Sequence, residues 1–306
     1  MKVAIIGGTG FLGSHIVDAM LEAGHELSLL VRAGSEGKAQ SGEGIRTVSG
    51  DIDSTSAIRE TLEGADAVVY LIGILREHPK HGITFEKTQY QGVVDVADIA
   101  SELGIRRFLL MSANGVEAEA TAYQRTKHEA ELYVEKGDFD ATIFRPSVVF
   151  GDPRGRMEFA TQLHQDIVRL PVPAIGFHTG WNPFGGPVLM SPVHVRDVAM
   201  AFVAALDDPA TIGQTYELGG PETLSWVEMI RRVAAAVDKR KLFIPMPIGL
   251  MRIPATLLDW IPAFPVTRDQ LTMLEQGNVC PDDALQSLTG RQPKAFSPEN
   301  LDYLRV

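Results

Sequence analysis

At 306 residues with 45% hydrophobic composition, the chain is long enough to bury a full core, in one large domain or two unequal ones, and is not a disordered polymer. Its 28 Lys and Arg against 39 Asp and Glu leave a net charge of −11, with no basic stripe or aromatic-basic interleaving, which argues against nucleic acid as a partner. A single cysteine, Cys280, excludes an internal disulfide and fits a cytoplasmic chain. No spacing suits a metal, and neither a signal peptide nor a stretch of about 20 apolar residues is found.

The first element is the apolar run Val3-Ala4-Ile5-Ile6, followed by Gly7-Gly8-Thr9-Gly10-Phe11-Leu12-Gly13 and a helical pattern on Ile16, Val17, Met20 and Leu21. Strand, glycine turn and helix N-terminus in this order form the geometry that holds a dinucleotide pyrophosphate. Residues without a Cβ let the phosphates approach the backbone, and the free N–H groups of the helix face the anion. Two spacings coexist, Gly8-x-Gly10-x-x-Gly13 and Gly7-x-x-Gly10-x-x-Gly13, and the loop alone does not choose between them.

Residues 2 to 6, and further along 26 to 31, 45 to 49, 66 to 72, 106 to 111 and 140 to 144, read as strands. Amphipathic segments at 13 to 23, 55 to 63, 86 to 103 and 122 to 136 separate them. Gly24, Gly64, Gly104 and Gly137 each stand just past a helical pattern, where a left-handed C-cap favours glycine. The alternation predicts an α/β fold, a doubly wound parallel sheet covered by helices on both faces, over residues 1–152. Residues 153–306 are expected to form a smaller C-terminal domain, with 188–220 packing back onto the first. The stretch 171 to 192, dense in Pro and Gly, reads as irregular substrate-side structure. Ser225-Trp226-Val227-Glu228 has the spacing of a helix capping box.

In a dinucleotide fold the residue ending the second strand separates NAD from NADP: a carboxylate accepts from the ribose 2′-OH, an arginine pairs with a 2′-phosphate. Here that residue is Arg32, which favours NADP(H) with NAD(H) as the other possibility; the alternative is a solvated surface arginine. Asp51 and Ile52, after the third strand, are placed beside the adenine. Leu71-Ile72-Gly73, ending the fourth, is placed where a glycine lets the backbone approach the cofactor ribose.

Tyr123 and Lys127 are one helical turn apart and share a face. An adjacent ammonium stabilises phenolate, so Tyr123 is expected to exchange a proton with a substrate oxygen that Ser112, at the end of the fifth strand, polarises. The alternative is an exposed helix face; Ser112, followed by Ala113, stands eleven residues before Tyr123. His78-Pro79-Lys80-His81 reads as a solvated loop rather than a metal site.

Tyr123-Gln124-Arg125-Thr126-Lys127 resembles the Tyr-x-x-x-Lys element of the short-chain dehydrogenase/reductase superfamily, and this resemblance selects the Gly7-x-x-Gly10-x-x-Gly13 spacing. The runs Arg145-Pro146-Ser147-Val148-Val149-Phe150-Gly151, Pro192-Val193-His194-Val195-Arg196-Asp197-Val198-Ala199 and Thr267-Arg268-Asp269-Gln270-Leu271 resemble an atypical and extended subgroup of it. That subgroup is related to the NADPH-binding accessory subunit of respiratory complex I, and its bacterial relatives are described as NAD-dependent epimerase/dehydratase. The resemblance implies a Rossmann domain, bound NADP(H), Arg145-Pro146-Ser147-Val148 near the nicotinamide end, and a small C-terminal domain. It leaves two functions open: an oxidoreductase acting on an unidentified carbonyl or alcohol, and a nucleotide-binding structural or assembly subunit without turnover.

Residues 243 to 266 are apolar but broken by five prolines, so they do not form a spanning helix. They read as lid and core of the small domain, mostly buried. The alternative is an exposed patch for a protein partner or a membrane surface.

Overall fold

The computed structural model describes residues 1–181, 185–251, 268–281 and 283–305. In chain order the strands are β1 (Lys2–Ile6), β2 (Glu26–Val31), β3 (Ile45–Ser49), β4 (Ala67–Tyr70), β5 (Arg107–Met111), β6 (Asp140–Pro146), β7 (Val149–Phe150), β8 (Ala174–His178), β9 (Leu189–Met190), β10 (Val193–His194), β11 (Gln214–Leu218), β12 (Leu224–Ser225) and β13 (Phe243–Pro247). The α-helices are α1 (Phe11–Glu22), α2 (Thr55–Leu62), α3 (Gly92–Glu102), α4 (Ala122–Lys136), α5 (Phe159–Leu163), α6 (Val195–Asp207), α7 (Trp226–Ala236), α8 (Arg268–Gln276) and α9 (Ala284–Thr289). The chain divides into two units, each assembled from three stretches. The first comprises Met1–Pro146, Val195–Leu218 and Ala284–Arg291; the second comprises Ser147–His194, Gly219–Asp283 and Gln292–Val306.

The first unit is built on a seven-stranded sheet in the order β11-β6-β5-β4-β1-β2-β3, with every pair parallel. Strands buried on both faces read as continuous apolar runs, and Val3, Ala4, Ile5 and Ile6 are all fully buried. On one face Ala4, Ile6, Val68, Tyr70, Phe108 and Leu110 pack with Val96 and Ala100 of α3 and Val134 of α4. On the sheet's other helical layer α1 packs along α6, and α9 packs on α6. Arg107 of β5 is buried and donates to the carbonyls of Asp140 and Ala205 and to the hydroxyls of Thr142 and Thr211. One guanidinium thereby ties the returning 195–218 stretch to the sheet. Burial lowers its pKa, with Asp140 opposing.

The strand order reverses between β1 and β4, so the C-terminal ends of those two strands border the crevice where ligands bind in folds of this kind. The helices start for identifiable reasons. Ser54 accepts from the Ala57 N–H at the start of α2, and Thr121 and Gln124 form a reciprocal capping box at the start of α4. Gly24, Gly64 and Gly104 are left-handed, with φ of 83°, 72° and 73°. Gly137 is not. It ends α4 in extended backbone at φ −72°, its N–H bonded to the Tyr133 and Val134 carbonyls, so the expected left-handed cap there is corrected.

The helix expected over 86 to 103 also divides. Residues 86–91 form a wide π-type turn before α3 begins at Gly92. The Tyr70 hydroxyl donates to the Thr88 carbonyl at 2.6 Å, and a Cβ at Gly92 would lie 2.4 Å from that hydroxyl. The buried phenol occupies the space a regular turn and a larger residue would need.

In the second unit, β8 pairs parallel with β13, and β9 pairs antiparallel with β12. The stretch read as irregular therefore contains the strand β8, whose burial alternates along Ala174-Ile175-Gly176-Phe177-His178. Prolines within β13 disguised its partner. The Ala174 N–H donates to the Leu242 carbonyl at 2.8 Å, so alternate residues 242, 244 and 246 face β8, and Pro245 and Pro247 fall on the side that bonds to no described strand. The core joins Phe150, Val168, Met190, Trp226, Ile230, Val233, Leu271 and Phe296. Of the segment expected to be buried, Pro247, Ile248 and Gly249 are, whereas Ile244 and Leu250 are about half exposed. Trp260 and Phe264 lie outside the described residues, as does Thr267.

Candidate active site

Gly7 follows β1 at φ 97°, and its carbonyl accepts from the Gly10 N–H at 3.2 Å. A Cβ at Gly13 would lie 2.2 Å from the Gly7 oxygen, and one at Gly7 would lie 3.1 Å from the Ile72 nitrogen; at Gly10 the nearest atom is an ordinary 3.4 Å away. Gly7 and Gly13 are thus required by the loop's own packing. Gly10 is exposed and makes no such demand, so its missing Cβ leaves room for an outside group. No side chain caps α1 at Gly10, and its first-turn N–H groups, from Phe11, Leu12 and Gly13, are available to an anion. Thr9 is half-buried in the same turn. An uncapped helix end behind a cradle without side chains fits a dinucleotide pyrophosphate.

The neighbouring strand ends line up with this loop. The Leu71 N–H donates to the Ile6 carbonyl at 2.9 Å, holding Leu71 and Ile72 against Gly7, with Gly73 exposed beyond them. Arg32 follows β2 and is exposed, its Nε 3.4 Å from the Ser35 hydroxyl. Asp51 follows β3, exposed, with its carboxylate accepting from the Ile52 N–H at 2.7 Å; the Ile52 side chain is buried.

Ser112 continues β5, its N–H donating to the Phe144 carbonyl at 2.7 Å. Its hydroxyl is buried and has no hydrogen-bond partner. Lys127 of α4 lines the same small internal gap as Ser112, together with Ile72, Gln89 and Tyr70. The Lys127 ammonium donates to the Met111 carbonyl at 3.0 Å, and a Cβ at Gly73 would lie 3.6 Å from it. Burial lowers its pKa to about 8, with Glu131 opposing.

The structure thus gathers Ser112, Lys127 and Gly73. Tyr123 is half-buried one turn earlier on α4, with its ring edge-on to Phe85 at 5.7 Å between centroids. Burial pushes its phenol up to about 12, the opposite direction from the one an ammonium neighbour alone would impose.

Arg145 of β6 turns its guanidinium to Glu131 of α4, with Nε and Nη2 bonded to the two carboxylate oxygens at 2.9 and 2.5 Å. Glu131 is buried, so this fork joins strand to helix. The Pro146 carbonyl accepts from the Asn114 N–H, pinning the loop after Ser112, and the Gln124 amide donates to the Gly115 carbonyl in the same loop. Ser147 and Val148 open the second unit, where the Ser147 hydroxyl donates to the Asn278 carbonyl and the Val148 carbonyl accepts from Val193.

Two positioning residues were not anticipated. Gln89 is buried, donates to the Ile74 carbonyl at 2.9 Å and accepts from the Thr126 hydroxyl at 3.1 Å, linking the turn before α3, the segment after β4 and α4. Glu131 lies four residues after Lys127, so helical spacing alone was a usable signal for it. Among the described residues, no three His, Cys, Asp or Glu side chains are grouped to hold a metal ion, and no helix is long and apolar enough to cross a membrane.

The sheet order, glycine loop and strand-end residues define a dinucleotide-binding α/β protein of the short-chain dehydrogenase type. Residues 3–219 match the NAD dependent epimerase/dehydratase family, and the chain belongs to it. It is 28% identical over 297 residues to a mitochondrial NADH dehydrogenase [ubiquinone] 1 alpha subcomplex subunit 9 of Arabidopsis thaliana, covering 92% of this chain and 70% of that protein. It is 26% identical over 259 residues to a ceramide reductase of Caulobacter vibrioides, covering 84% and 78%. Among solved structures, the UDP-glucose 4-epimerase of Thermus thermophilus in complex with NAD superposes with a TM-score of 0.72 at 18% identity, covering 100% and 98% of the two chains.

Proposed function

We propose that the chain binds NADP(H) and reduces a carbonyl compound, or oxidises the corresponding alcohol, at Ser112, Tyr123 and Lys127. The observation that carries this reading is the buried Ser112 hydroxyl, which has no partner and lines one small gap with Lys127 at the C-terminal edge of the sheet. A buried unsatisfied hydroxyl costs stability unless something else completes it, and a substrate oxygen would do so.

The pyrophosphate would rest on the α1 N-terminus at Gly10–Gly13, Arg32 would take the 2′-phosphate, Asp51 and Ile52 would border the adenine, and Leu71–Gly73 would face the ribose. Bound NADPH would supply the hydride. Ser112 would donate a hydrogen bond to the carbonyl oxygen, and Tyr123 would hand it the phenolic proton. A phenol held near 12 is fully protonated at neutral pH, which suits it to act as the acid in reduction. Lys127, cationic over much of the physiological range, would favour the charge left on the phenolate. The ceramide reductase relative supports a reductase.

A second reading, a nucleotide-binding structural or assembly subunit without turnover, draws on the likeness to the NADH dehydrogenase subunits and on Lys127 being bonded to Met111 rather than to Tyr123. Single-turnover loss of NADPH absorbance against aldehydes, long-chain ketones, quinones and nucleotide sugars separates the two. Turnover that falls by about 10² in Tyr123→Phe, with nucleotide affinity unchanged, is expected of the reductase. Silence of the wild type across the panel would favour the structural subunit, and turnover that survives Tyr123→Phe would remove the role given to Tyr123.

A further inference from the structure

Four of the exposed large apolar side chains in the second unit come from two adjoining stretches, Arg169-Leu170-Pro171-Val172-Pro173 before β8 and Lys239-Arg240-Lys241-Leu242-Phe243-Ile244-Pro245 leading into β13. Leu242 is 78% exposed, Val172 55%, Ile244 51% and Leu170 47%. The stretches are fastened side by side: the Ala174 N–H bonds the Leu242 carbonyl, and the Lys241 ammonium donates to the Leu170 and Val172 carbonyls at 2.5 and 2.7 Å. The four side chains therefore belong to one surface.

The charge of that surface is opposite to that of the whole chain. Its two stretches carry Arg169, Lys239, Arg240 and Lys241 and no carboxylate, in a protein whose net charge is −11. Lys241 is occupied with the two carbonyls; Arg169, Lys239 and Arg240 are exposed and have no ion-pair partner among the described residues. Arg169 and Lys239 are close enough that both act on His164, whose pKa is lowered first by burial and then by these two charges. Asp166 and Asp238 flank the two stretches in sequence, Asp238 pairing with Arg305 at 3.5 Å; Arg231, which stands over the Phe243 ring, pairs with Glu228 at 3.7 Å.

We propose that this face seats the protein on an anionic membrane surface, with Leu170, Val172, Leu242 and Ile244 entering the headgroup layer and Arg169, Lys239 and Arg240 meeting lipid phosphates. Apolar tips edged by unpaired cations match the layering of an anionic bilayer surface, where acyl chains lie beneath phosphates. A second copy is a poorer occupant, because a symmetric contact through this face would set the three cations against their own duplicates. The site is separate from the nucleotide chemistry, so either can fail without the other.

The test is co-sedimentation of the full chain with phosphatidylcholine vesicles, with and without added phosphatidylglycerol. The wild type is expected to pellet with the anionic vesicles alone and to be released by high salt. Replacing Arg169, Lys239 and Arg240 by Gln together should lower partitioning on the order of a hundredfold, from about one headgroup-scale interaction per charge. Leu242→Ser with Ile244→Ser should lower it on the order of tenfold or more. Unchanged thermal melting and NADPH affinity in both variants would show that the fold and nucleotide site are intact. Sedimentation with neither vesicle, equal sedimentation with both, or concentration-dependent self-association that the Leu242→Ser, Ile244→Ser variant abolishes would each overturn the proposal. If either variant melts early, salt release of the wild type decides the charge dependence on its own.

Discussion

The Lys127 ammonium is held by the Met111 carbonyl, so the charged end of this side chain is anchored to the last residue of β5 by a neutral acceptor. Burial brings its pKa from 10.5 to about 8, while the unfolded chain keeps the ordinary value. Between those two pH values the unfolded chain holds a proton that the folded chain has released. Stability therefore rises with pH across that window, and the cost of burying the charge is fully present below it. Lys127→Met should be more stable than wild type by up to about 3 kcal/mol at neutral pH, with the gap closing towards pH 10. Urea unfolding of both proteins at the two pH values measures this, and a gap independent of pH would contradict it.

The glycine loop separates two requirements. Gly13→Ala drives a Cβ to 2.2 Å from the Gly7 oxygen and should lower stability by about 3 kcal/mol even without nucleotide. Gly10→Ala meets its nearest atom at 3.4 Å and should leave the apo melting temperature almost unchanged while weakening nucleotide affinity. Thermal melts with and without NADPH distinguish these outcomes; equal destabilisation by both would show that the loop relaxes.

Arg32→Glu should cost on the order of tenfold or more in NADPH affinity and narrow or reverse the preference over NADH, because a charge-assisted contact to phosphate contributes about 1.5 to 3 kcal/mol. Nucleotide fluorescence titration measures it. Equal NADPH affinity in wild type and variant would return Arg32 to the solvated surface.

Glu131→Gln removes the buried carboxylate that both forks of Arg145 grip and that supports the charge on Lys127. The Arg145 side chain retains some solvent access, so the expected loss is about 2 to 3 kcal/mol rather than the larger cost of a fully buried orphan. Chemical denaturation would register it, and a loss within experimental scatter would mean that solvent replaces the pair.

Much of the first unit was readable because its central strands, β1, β4 and β5, are buried on both faces and mainly apolar. β1, β2 and β3 fall on the residues that the alternation indicated, and Gly7 and Gly13 proved sterically obligatory. What escaped depended on distant partners. The turn at 86–91 widens because Tyr70, from another strand, takes the Thr88 carbonyl. β13 was hidden by prolines whose nitrogens happen to face away from β8. In the site, the Tyr123 and Lys127 spacing was visible, but the Met111 carbonyl that holds Lys127 could have come from any residue type, so nothing in the sequence marked it. The direction of the Tyr123 shift depends on what buries the ring, and Phe85 is far from it in sequence.

The last strand of the seven-stranded sheet, β11, comes from residues that follow the whole first stretch of the second unit. As the chain leaves the ribosome, β6 is complete while its outer neighbour has not yet been made, and its main-chain donors and acceptors face water along an open edge. Arg107 already has the Asp140 carbonyl and the Thr142 hydroxyl at that stage, but the Ala205 carbonyl and the Thr211 hydroxyl reach it only with the 195–218 stretch. A nascent chain stalled before residue 205 would present that strand edge beside a guanidinium still lacking two of its partners, a combination open to pairing with another copy or to capture by a chaperone.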